Sequence, residues 1–184
     1  MMLEMLTLLL GGARSGKSAL AVSLAQAHPG ASTTTFLATA EPRDEEMMTR
    51  VAAHRQDRPQ TWRTLEEPLQ LAQAFQDIEP SATVVLDCLT LWVSNMMEAG
   101  WDDVTATRSA EAVSLLASER PGLTVAVSNE VGSGIVPAEP VSRRYRDLLG
   151  RVNSIFADHA FGAFLVVAGR LLALQRPPEG VVPL

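Results

Sequence analysis

The stretch Gly11-Gly12-Ala13-Arg14-Ser15-Gly16-Lys17-Ser18 constrains this chain more than any other. The apolar run Leu6–Leu10 precedes it and an alanine-rich helical pattern, Ala19 to Ala27, follows. Strand, glycine-rich loop and helix in that order form the context in which G-x-x-x-x-G-K-[ST] works as a phosphate-binding P-loop. Glycines let the backbone curl so that N–H groups converge on phosphate oxygens, and the helix N-terminus adds its positive dipole end. In that frame Lys17 reaches the β- and γ-phosphates, and the Ser18 hydroxyl binds Mg²⁺.

Lys17 is the only lysine; every other basic residue among the 15 Lys and Arg positions is arginine. A site that needs a compact ammonium rather than a planar guanidinium would keep a lysine in this way. The 184 residues suffice for one domain with a substantial core, and 47% hydrophobic and 20% charged residues are ordinary for a globular chain. A net charge of −6 argues against a nucleic-acid partner. Cys88 stands alone, which excludes a disulfide framework or a cysteine-zinc cluster within one chain. The first residues lack a basic region before the apolar run, unlike a secretory signal, and no apolar run has membrane-spanning length. A soluble cytoplasmic protein is the expectation.

The pattern predicts a helix over 19–27 ended by His28-Pro29-Gly30, a strand over 33–38, and a helix from about Glu41 to Arg58, stopped by Pro59. Trp62-Arg63-Thr64 reads as short and extended, and Glu66-Glu67-Pro68 as the opening of a helix to about Asp77. A buried strand over 83–87 ends in an acid. Helices over 89–99 and 104–119, a strand over 123–128, a helix over 143–159 and a last strand over 164–168 complete the pattern. Residues 175–184 form a proline-rich tail. Alternating strands and helices imply a mostly parallel sheet covered on both faces, with ligands off the carboxyl ends of the strands. The loops 11–18, 38–40, Asp87 and Asn129–Glu130 would converge there.

Asp87 ends an apolar run, which in a P-loop protein puts a carboxylate beside Ser18 to hold Mg²⁺; alternatively it caps the next helix. His54 stands among Arg50, Arg55 and Arg58. Those cations oppose its protonation, and a neutral imidazole is a competent nucleophile; the plainer reading is a solvated histidine at a helix end. Glu130 either accepts a proton or ligand N–H, or pairs with Arg143 or Arg144.

Taken together, residues 11–18, Ala38-Thr39, His54, Arg58-Pro59, Trp62-Arg63-Thr64, Asp87-Cys88, Ser128–Pro137 and Arg146–Asn153 resemble the bifunctional adenosylcobinamide kinase/adenosylcobinamide-phosphate guanylyltransferases of cobalamin synthesis. The resemblance covers nearly the whole chain, and its specific part is Asn-Glu-Val-Gly-x-Gly-Ile-Val-Pro together with His54. It implies a RecA-like α/β P-loop domain and a homotrimer. It also implies two reactions: phosphorylation of adenosylcobinamide by ATP or GTP, then transfer of GMP from GTP to the product through a guanylyl-histidine, with His54 at that histidine's position. Its nucleotide contacts fall on Gly11, Gly12, Ala13, Arg14, Ser15, Gly16, Lys17, Ser18, Ala38, Thr39, Ala40, Arg55, Gln56, Asp57, Arg58, Glu66 and Asp87. Where members of that family often carry two adjacent histidines, this chain has Ala53 before His54, leaving one candidate. A simple P-loop small-molecule kinase and a nucleotide-sensing binding module are the rival readings.

Overall fold

The structure is a computed structural model that describes residues 5–28, 33–41, 45, 55 and 58–178. One seven-stranded sheet carries the fold, built from β1 (Leu6–Leu10), β2 (Thr34–Ala38), β3 (Arg63–Glu66), β4 (Thr83–Asp87), β5 (Thr124–Val127), β6 (Gly162–Val167) and β7 (Arg170–Leu174). Their order across the sheet is β3-β2-β4-β5-β1-β6-β7. All neighbours run parallel except β6 and β7, which form an antiparallel hairpin. The described helices are α1 (Lys17–Ala27), α2 (Leu71–Gln76), α3 (Leu89–Glu98), α4 (Asp103–Glu119) and α5 (Pro140–His159).

Alternation along the strands sorts side chains into two cores. Leu6, Leu8 and Leu10 of β1 face α3, α4 and α5 in the larger core, where Trp92 and Phe156 meet edge to face at 6.4 Å between centroids. Leu9 faces the other way, with Val85, Val125 and Val127, against Ala21 and Ala25 of α1. Small alanines let α1 lie close on the sheet, which brings its N-terminus over the end of β1.

The predicted strands over 6–10 and 83–87 match residue for residue, and those at 33–38, 123–128 and 164–168 shift by one or two residues at their ends. Three predictions need correction. Glu66 does not open a helix: it ends β3, and α2 starts only at Leu71, after the Glu67 carboxylate has taken the amides of Leu69 and Gln70 at 2.8 Å each. The last helix starts at Pro140 rather than Arg143, with proline in its first turn, where the missing N–H costs nothing. The strand over 164–168 is not the last, because β7 follows it. Most of the helix predicted over 41–58 lies outside the described residues; Glu45 and Arg55 within it are helical and exposed. Residues 175–178 carry no regular structure, and Arg176 donates to the carbonyls of Asp158 and Ala160. Among the described residues no helix is long and apolar enough to cross a membrane.

Candidate functional site

Strand register sets out the site before any side chain is considered. Glu66, Ala38, Asp87, Val127 and Leu9 are successive cross-strand partners, so one row across the sheet ends β3, β2, β4 and β5 together, one residue short of the end of β1. The predicted loops therefore open side by side at the carboxyl edge. The P-loop rises from β1 at the place where the connections diverge to either side of the sheet, which is where a crevice forms in such folds.

Within the loop, Gly16 has φ 99° and Arg14 φ 57°, left-handed conformations that turn the chain into α1. Lys17 is 7% exposed. Its ammonium donates to the carbonyls of Gly11 at 2.9 Å and Gly12 at 2.7 Å, and lies 3.4 Å from Ser15 Oγ. Burial pulls its pKa below the ordinary lysine value, against the pull of the nearby Asp87 charge. Ser18 is half-buried, on the next residue of the same helical turn. Ala38, Thr39 and Ala40 leave β2 beside Asp87. The Thr39 hydroxyl donates to the Cys88 carbonyl at 2.7 Å and accepts the Cys88 amide at 2.9 Å. The Cys88 thiol is pushed up to about 12 by burial and by the Asp87 charge, so it is a neutral neighbour and not a nucleophile.

Arg58 is 8% exposed, its guanidinium 3.9 Å above the centre of the Phe36 ring. Burial and the Arg55 charge lower its pKa, and Asp87 and Glu66 oppose them. A lysine ammonium, an arginine guanidinium and two carboxylates thus share one edge of the sheet. His54, Gln56 and Asp57 lie outside the described residues. Glu130 lies at the start of the loop after β5, and its amide donates to the Gly11 carbonyl at 3.0 Å. Its side chain folds onto its own loop, accepting from the Gly132 amide and the Ser133 hydroxyl. The pairing with Arg143 or Arg144 is not the observed one: Arg143 donates to the carbonyls of Pro137 and Ala138, and Arg144 to Asp103 and the Trp101 carbonyl.

Three polar residues hold these loops, of which the sequence motifs include Asn153 but neither Asn95 nor Thr90. Asn95 on α3 donates to the carbonyls of Thr39 and Pro68. Thr90 accepts the Asn129 amide at 2.8 Å, and Asn153 on α5 accepts from Ser128 Oγ at 2.6 Å while donating to the Asn129 carbonyl. All three are buried. For Asn95 the signal is an asparagine in an otherwise largely apolar helix, because burying an amide is costly unless it is bonded.

The family model described as cobinamide kinase / cobinamide phosphate guanyltransferase matches residues 7–174. The bifunctional adenosylcobalamin biosynthesis protein CobP of Pseudomonas aeruginosa is 42% identical over 172 residues, 93% of this chain and 98% of that protein. The corresponding CobU of Escherichia coli is 38% identical, over 90% of this chain and 97% of its own length. Among solved structures, a KaiC-like protein of Pyrococcus horikoshii superposes with a TM-score of 0.51 at 12% identity, covering 88% of this chain and 70% of its own. A second protein of that archaeon gives a TM-score of 0.54 at 7% identity, covering 94% of this chain and 87% of its own. The structural likenesses bear on fold alone and agree with a P-loop α/β architecture. The family match spans the P-loop, the row of carboxylates and the loop after β5, and on it the chain belongs to the cobinamide kinase / cobinamide phosphate guanyltransferase family.

Proposed function

We propose that this enzyme of cobalamin biosynthesis phosphorylates adenosylcobinamide with ATP or GTP and then transfers GMP from GTP to the resulting phosphate through a guanylyl-histidine. The observation that carries the kinase half is the Lys17 ammonium held among loop carbonyls within reach of the Asp87 charge, which Arg58 also feels. A triphosphate entering the loop would take over this ammonium and the loop amides. In the first step the substrate hydroxyl attacks the γ-phosphorus, the nucleoside diphosphate leaves, and the hydroxyl proton passes to a base, for which Glu130 is the candidate through Oε2. In the second, a ring nitrogen of His54 attacks the α-phosphorus and pyrophosphate leaves. The phosphate of the corrinoid intermediate then displaces the imidazole from the N–P bond. Arg55, Gln56, Asp57 and Arg58 are proposed to hold the nucleotide around that histidine, and Ala38, Thr39, Ala40 and Glu66 to border it.

Magnesium is part of the proposal. Among the described residues no three His, Cys, Asp or Glu side chains gather into a metal cluster. Mg²⁺ requires none, since it keeps waters and takes one or two protein oxygens together with phosphate oxygens. The Ser18 hydroxyl and the Asp87 carboxylate fit that donor set and would hold it, where it neutralises charge on the phosphates. A homotrimer in the cytoplasm is proposed on the resemblance; light scattering at working concentration tests the assembly, and a monomer would refute it.

The central test uses GTP labelled at the α-phosphate. The protein is expected to retain acid-labile, alkali-stable label after denaturation, and His54→Ala to lose it while keeping much of the phosphorylation of cobinamide. Label persisting in that variant, or loss of both activities in a folded protein, overturns the separate roles. An unlabelled native protein that still phosphorylates cobinamide would favour the simple kinase.

A further inference from the structure

We infer that the tip of the β6–β7 hairpin, Ala168-Gly169, is a positioning element of the phosphate-binding loop. This inference rests on the P-loop reading above. Val167 pairs with Arg170, so two residues close the hairpin, and both have positive φ: 51° at Ala168 and 71° at Gly169. A two-residue turn of that kind matches the twist of the flanking strands. It also aims the Gly169 amide at the P-loop, where it donates to the Ser15 carbonyl at 2.9 Å.

That single bond acts on the site through the geometry of the peptide unit. The Ser15 carbonyl and the Gly16 N–H belong to one planar trans peptide and point in opposite directions. Fixing the carbonyl outward on Gly169 fixes the Gly16 N–H inward, toward the cradle where phosphate oxygens would sit. The two glycines are in close approach: a Cβ on Gly16 would stand 3.4 Å from the Gly169 Cα. The same strand braces the loop's other end, because a Cβ on Gly11 would collide with the Val166 carbonyl oxygen.

The rest of the hairpin contributes little else. Every residue of β7 is exposed, with Leu172 at 60%, so the strand adds little to either core. Its tip is where it meets the chemistry.

The test compares Gly169→Val, Gly169→Ala and Gly169→Asn with the native protein and Lys17→Ala. A β-branched residue is poorly accommodated at positive φ, alanine is strained there, and asparagine tolerates it. Binding of a fluorescent GTP analogue with Mg²⁺ is measured beside the Michaelis constants for nucleotide and for cobinamide. The expected order of nucleotide affinity is Asn above Ala above Val, with Gly169→Val weakened about tenfold or more, as for a lost hydrogen bond to a charged group. The cobinamide Michaelis constant should stay within about twofold of native. If Gly169→Val fails to fold, the order of Asn over Ala still decides. Equal affinities across the series while Lys17→Ala is defective overturn the positioning role alone, as does a parallel rise in both Michaelis constants. Native affinity in Lys17→Ala instead overturns the P-loop reading beneath it.

Discussion

Lys17 shows how one residue can be legible in sequence and still hold a surprise in structure. Its motif reads as a phosphate ligand, and in the structure its buried ammonium donates to the Gly11 and Gly12 carbonyls. The shift has a sign that can be tested. Burial lowers its pKa in the free protein, and bound phosphate, being anionic, raises it again. On the alkaline side, between the free and bound values, GTP binding therefore takes up a proton and affinity falls as pH rises. Below the free value no proton is taken up and affinity is level. Calorimetry in alkaline buffers of different ionisation enthalpy reads the uptake directly. Lys17→Arg, whose charge does not titrate in this range, should abolish the uptake and also bind poorly, since a planar fork does not fit a cradle shaped around an ammonium. Uptake unchanged in Lys17→Arg would assign the proton to another group.

At the scale of elements, what could be read from sequence depended on burial. β1 and β4 are apolar runs bounded by loops, and they were legible residue for residue. β7 was not: Leu171, Leu172 and Leu174 face solvent, and Ala168-Gly169 lacks the Asn-Gly or Asp-Gly signature that announces a tight hairpin. Glu66-Glu67-Pro68 imitates a helix start, because acids and proline suit a first turn; only the pairing of Leu65 and Glu66 with Leu37 and Ala38 reveals a strand. At the site, the convergence of the 11–18, 38–40, Asp87 and 129–130 segments was legible, since strand ends in a parallel α/β sheet must open side by side, whereas Arg58 entered as a nucleotide contact through the family resemblance. Asn95 and Thr90 were missed because their partners are backbone groups far away in sequence. Arg120 is the counterpart at the opposite edge. It is 8% exposed and donates to the carbonyls of Ala82 at 2.7 Å and Glu79 at 2.8 Å, joining the end of α4 to the start of β4. Its loss would leave the buried Ala82 carbonyl without that donor, while the Glu79 carbonyl keeps the Ala82 amide. Arg120→Ala should cost about 1–3 kcal/mol of unfolding free energy, by denaturant titration, with nucleotide affinity unchanged while the protein is folded. A cost below about 0.5 kcal/mol, the usual range for a surface substitution, would show that the edge holds without it.

For the whole molecule, the sheet presents a single P-loop at a single carboxyl edge among the described residues, yet the family's name joins two reactions. If one cradle serves both, the γ-phosphorus and the α-phosphorus of a triphosphate held the same way must each meet a different nucleophile. The bond that breaks then separates the activities, without any substitution in the protein. With a methylene group between the α- and β-phosphorus of GTP, the α–β link cannot break but the γ-phosphoryl group can still transfer. That analogue should support phosphorylation of cobinamide and leave no GMP on the protein. With an imido group between the β- and γ-phosphorus, γ-transfer is blocked while the α–β link remains cleavable. That analogue should label the protein with GMP, releasing imidodiphosphate, and leave cobinamide unphosphorylated. Each analogue should also compete with native GTP for the reaction it cannot perform, because it occupies the shared cradle with the same Lys17 contacts. Mass spectrometry of the protein and chromatography of the corrinoid read both outcomes. Failure of either analogue to inhibit its blocked reaction would mean that the two nucleotides bind at separate places, and the single-cradle mechanism would fall.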